Sequence, residues 1–79
     1  MKEQEINETQ EQVTAFDAIR GNKGTHYDLA NQCKALGLVV EPDPDNNVRS
    51  LVLLPGVWNL DGSDVVLGVI SGDSDAEIS

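Results

Sequence analysis

His26 and Cys33 are the side chains whose types could pair as base and nucleophile in thiol chemistry, so their spacing is decisive. On a shared helix they lie two turns, about 10 Å, apart along the axis, beyond hydrogen-bond reach. That spacing predicts Cys33 as a small buried hydrophobe and His26 as a surface residue at a helix start, and it assigns no catalytic residue. Asp43, Asp45 and Asn47 alternate like the first three ligands of a calcium loop. Val48 stands where such a loop needs glycine and Leu54 where it needs a bidentate glutamate, so a solvated turn is expected and no metal site.

Gly21-Asn22-Lys23-Gly24-Thr25 precedes a helix start, where free N–H groups and the helix dipole favour an anion. Lys23, Gly24, Thr25 and His26 are therefore candidate anion-binding residues, and one alternative reading is a small anion-binding module using residues 21–26. The glycine spacing matches neither the phosphate-loop nor the dinucleotide fingerprint, and a helix cap plus a turn explains both glycines. A second alternative is a winged helix-turn-helix regulator presenting His26, Tyr27, Asn31, Gln32 and Lys34 to DNA. Against it stand only 5 basic residues in a chain of net charge −9, so nucleic acid is disfavoured as a partner.

The elements that hold these side chains begin with a helix from about residue 9, capped by Asn7 or Thr9 with Gln10 or Gln12 three residues on. It carries an apolar stripe of Val13, Phe16 and Ile19 beside Ala15, and Gly21 ends it. Thr25 caps a second helix over residues 26–36, with Leu29, Ala30, Cys33 and Leu36 inward and Gly37 at the C-cap. Residues 38–41 read as a short strand and residues 42–47 as a polar loop. A second strand covers 48–54, Pro55-Gly56 fits a type II turn, a third strand covers 57–60, and Asp61-Gly62 turns the chain into a strand over 65–70.

The expected fold class is α+β: two N-terminal helices packed on a small, mainly antiparallel sheet of three to four strands. Residues 1–8 are read as a flexible polar lead, residues 9–70 as a single α+β domain and residues 71–79 as a flexible acidic tail with Asp73, Asp75 and Glu77. A chain of 79 residues makes one domain, which buries roughly 60 to 65 per cent of the surface exposed when unfolded. Cys33 is the only cysteine, so an internal disulfide is excluded and a reducing compartment is the simpler expectation. With no apolar leader and no apolar run long enough to span a bilayer, the expectation is a cytoplasmic chain with no membrane contact. No cofactor signature is found.

Residues 48–54 and 65–70 carry aliphatic side chains on both alternating faces, although a sheet covered by helices on one side only should alternate apolar with polar. The surplus predicts a non-enzymatic protein that binds another protein, a second copy of itself in a homodimer, or both, as a regulator or inhibitor. Val52, Leu54, Trp58, Val66 and Ile70 are the expected contacts, with Trp58, the single tryptophan, as anchor. Small size and acidity extend this to inhibition of a nucleic-acid enzyme, in the manner of mobile-element or phage-type inhibitors. As a mimic of duplex it is weak, because residues 9–70 hold less than half of the net charge of −9.

Overall fold

The computed structural model describes the backbone of residues 2–79 and the side chains of residues 10–79. Its elements are α1 (Lys2–Ile19), β1 (Lys23–Gly24), α2 (His26–Ala35), β2 (Val39–Asp43), β3 (Asn46–Trp58), β4 (Asp64–Ser71) and β5 (Ala76–Ile78). The lead expected to be flexible over residues 1–8 falls on side chains outside the described residues, while the helical backbone runs from Lys2.

Both helices follow their apolar spacing. Phe16 is fully buried with Val13 and Ile19 packed beside it, so the stripe is the inward face of α1. Thr25 Oγ1 accepts the Asp28 N–H at 3.1 Å, which caps α2 and turns Leu29 and Cys33 into the core. At the far end, the Gly37 N–H donates to the Lys34 carbonyl at 2.9 Å.

The five strands form one antiparallel sheet in the order β1-β5-β4-β3-β2. The α+β architecture is as expected, with more strands than the three to four anticipated. The extra pairing comes from the segment read as a flexible acidic tail, which corrects that expectation: β5 lies inside the sheet, between β1 and β4. Ala76 and Ile78 are 1% and 0% exposed with Glu77 outward between them, so a period-2 pattern of three residues suffices once strands lie on both sides. Gly21 N–H donates to the Ile78 carbonyl at 2.7 Å, and Ile78 N–H donates to the Asn22 carbonyl at 3.0 Å.

Two connections also differ. Residues 42–47 form a hairpin instead of an open loop: Asp43 pairs with Asn46 across Pro44-Asp45, and Asp43 Oδ1 accepts the Asp45 N–H at 2.8 Å. Pro55-Gly56 does not reverse the chain, so no separate strand forms over 57–60. Instead β3 continues to Trp58, its pairing with β4 interrupted between Leu54 and Trp58, and Gly56 takes a φ of 80° that a side-chain-bearing residue rarely adopts. The reversal comes at Asp61-Gly62, where Asp61 Oδ1 accepts from the Ser63 N–H at 3.0 Å and the Ser63 hydroxyl at 2.6 Å.

One face of the sheet meets the helices, through a core that includes Phe16, Leu29, Val52, Leu54, Ile70 and Ile78. A Cβ on Gly68 would reach within 2.7 Å of the Phe16 ring and collide with the Ser79 carbonyl, so glycine lets α1 approach β4 this closely. Arg20 closes the same corner: its guanidinium lies 4.7 Å from the Phe16 ring centroid, pairs with Asp17 at 3.0 Å and donates to the Leu67 carbonyl at 3.2 Å. Among the described residues, no helix is long and apolar enough to cross a membrane.

Candidate functional site

Side chains directly opposite each other on paired strands share a face, so the register defines what the helix-free side of the sheet displays. One row runs Val39, Leu53, Val66 across β2, β3 and β4, and the next runs Glu41, Leu51, Val69. None of these six belongs to the core beneath the helices. Val57 packs against that core, so alternation turns Trp58 to the opposite side, beside its partner Asp64. Trp58 is 65% exposed, Val66 49% and Val39 38%, with Leu60 fully exposed at the hairpin end. Leu53 is only 5% exposed although no helix covers it, because Val39 and Val66 flank it.

The five expected contact residues separate accordingly. Trp58 and Val66 stand on this open face, whereas Val52, Leu54 and Ile70 are 0%, 6% and 0% exposed in the core and cannot touch a partner, which corrects their assignment. Parity explains the β3 residues: Val52 and Leu54 share the face of Ser50, which points at α2, and the odd-numbered Leu51 and Leu53 take the other. In β4 a bulge at Leu67 breaks the alternation, pairing Gly68 with Val52 but Val66 with Leu53, so Val66 and Ile70 end on opposite sides. Leu51, Val39 and Val69 were missed as residues of the open face, and Leu53 shares their side but is itself buried. Their alternation was legible, but which alternating set faced the helices was not.

His26 has a structural task. Its Nδ1 donates to the Gly72 carbonyl at 2.6 Å and its Nε2 shares a hydrogen with Ser50 Oγ at 2.7 Å, stitching the start of α2 to β3 and to the turn before β5. A recess of about 450 Å³ opens beside it, bounded by Tyr27, Ala30, Val48 and Asp73, but Ser50 does not line it. Cys33 is enclosed in the core, where burial pushes its thiol pKa up and leaves it the poorly nucleophilic neutral form.

The anion loop is already engaged. Lys23 and Gly24 form β1, with Lys23 opposite Glu77; the His26 N–H donates to the Asp73 carbonyl at 2.7 Å, and the Thr25 hydroxyl caps α2. Donors that a phosphate would need at Gly21 and His26 are therefore directed at backbone carbonyls, with Asp28 and Asp73 close in sequence and structure. On α2, the Gln32 side-chain carbonyl accepts from Asn22 at 3.1 Å, and Tyr27, Asn31 and Lys34 of the proposed reading helix are exposed as well.

Among the described residues, no three His, Cys, Asp or Glu side chains converge to hold a metal ion. Asp43 of the calcium-like pattern is occupied by the Asp45 N–H and by Arg49 Nε at 2.6 Å. These two hydrogen bonds hold its carboxyl below the usual carboxylate range against an opposing effect of burial. Chemically, the open face offers apolar area to bury, edged by carboxylates. No protein-family model, curated protein or solved structure matches this chain.

Proposed function

We propose that this is a non-enzymatic protein-binding protein, a regulator or inhibitor that docks on another protein through the helix-free face of its sheet. The observation that carries the reading is a tryptophan 65% exposed on the same helix-free face as the exposed Val66 and Val39, a face that lies outside the core. A large aromatic with that much surface in water is stabilised when a partner covers it, and it loses little side-chain entropy in doing so. A cytoplasmic location belongs to the same reading, supported by the single buried cysteine. The version in which the partner is a nucleic-acid enzyme draws its support from the acidity of the chain.

The test compares affinity capture by the wild type with capture by the Trp58→Ala/Val66→Ser double variant, after circular dichroism has shown both folded. A protein recovered by the wild type, absent with the double variant and rebound as a purified component supports the reading. Equal recovery by both forms, or enzymatic turnover in the purified chain, overturns it.

A further inference from the structure

The apolar face is not electrically neutral at its margin. Glu41 extends the Leu51 row on the β2 edge, Asp64 stands opposite Trp58, and Asp61 lies in the turn next to the fully exposed Leu60. Among the described residues, Arg49 on β3 is bound by Asp43 at 2.6 Å, and Arg20, which reaches the Leu67 carbonyl from the helix side, is paired with Asp17 at 3.0 Å. Lys23 sits at the opposite end of the sheet, on β1, across from Glu77. The uncompensated charge around Trp58 and Leu53 is therefore negative, on a chain whose net charge is −9.

A second copy is a poor fit to this surface. A two-fold interface brings the same patch against itself, so Glu41, Asp61 and Asp64 would line one rim with their own counterparts between two bodies of charge −9. We infer that the occupant of the helix-free face is a different protein, presenting an apolar strip bordered by Lys or Arg that meets Asp61 and Asp64 beside a Trp58 anchor and Glu41 at the other end of the face. This rests on the docking reading above and adds the chemistry of the partner. The rim carboxylates choose the partner and speed the encounter, and the covered apolar area holds it.

The single tryptophan is the reporter. Its emission is followed while the full chain is titrated with two synthetic peptides, one alternating Leu with Lys and one alternating Leu with Glu. The Leu/Lys peptide is expected to shift the emission saturably, more weakly as salt rises, and the Leu/Glu peptide to leave it unchanged. Glu41→Gln/Asp64→Asn should weaken the Leu/Lys peptide by about threefold to tenfold, while Glu11→Gln/Asp75→Asn, equal in charge but off this face, should leave it as in the wild type. Val66→Ser should abolish the shift with the chain still folded. Equal binding of both peptides, or equal effects of the two double variants, overturns the charge inference and leaves the docking face standing. Val66→Ser without effect overturns the docking face itself. A concentration-dependent dimer in sedimentation that disappears with Val66→Ser makes a second copy the occupant and overturns the inference.

Discussion

His26 joins three pieces of chain with one ring, since Gly72 precedes β5, Ser50 lies in β3 and His26 itself opens α2. Replacing it with alanine removes both contacts and leaves the Gly72 carbonyl without this donor in a part-buried setting. His26→Ala should cost about 1–3 kcal/mol, read as a fall in the thermal midpoint of about 4–8 °C for each kcal/mol. Asp43 is the comparable carboxylate. Its folded pKa is lowered first by the Asp45 N–H and then by Arg49, so its contribution is fully present above the unfolded value near 4. That contribution disappears as pH falls through the lowered folded value. Urea unfolding at stepped pH should therefore show Asp43→Asn destabilised at neutral pH, with a flatter acid limb than the wild type. Asp61, lowered by the hydrogen bonds from Ser63, should behave in the same direction at its turn.

At the scale of the elements, β5 and the β3–β4 hairpin show opposite relations between composition and structure. β5 comes from an acidic, Ser- and Gly-containing stretch, yet Ile78 is fully buried, so Ile78→Ala should destabilise by about 2–4 kcal/mol in urea unfolding. A truly unstructured tail would show no change. The hairpin is apolar, yet its end is exposed, so Leu60→Ser should change stability by less than about 0.5 kcal/mol. Glycines separate strain from collision in the same strands. Gly56→Ala meets open space and should cost about 1–2 kcal/mol for its positive φ alone, whereas Gly68→Ala drives into Phe16 and Ser79 and should cost more than about 2 kcal/mol. Both are measured as unfolding midpoints on the full chain.

At the scale of the whole molecule, the extents of 41 × 27 × 15 Å describe a thin slab, one layer of helices on one layer of sheet. A duplex as long as the slab carries about 24 phosphate charges at one per about 1.7 Å, far above a net charge of −9, so acidity alone imitates DNA poorly. Raising salt should weaken any partner complex through its rim while Trp58 stays protected from a fluorescence quencher, a combination that pure charge mimicry would not give. Much of this slab was legible beforehand: Phe16 and Cys33 at helical spacing, the Thr25 cap, the Asp61-Gly62 reversal and the apolar strands all act through neighbours a few residues away. Sequence alone also determined that the chain holds more aliphatic strand surface than two short helices cover. Tertiary structure decided which half of that surface is hidden, because a strand alternates identically whichever side the helices take, and one bulge at Leu67 reverses the assignment midway. It also decided that Ala76 and Ile78 pair between β1 and β4, since three residues with a single acid between them become a strand only when partners distant in sequence are already aligned beside them.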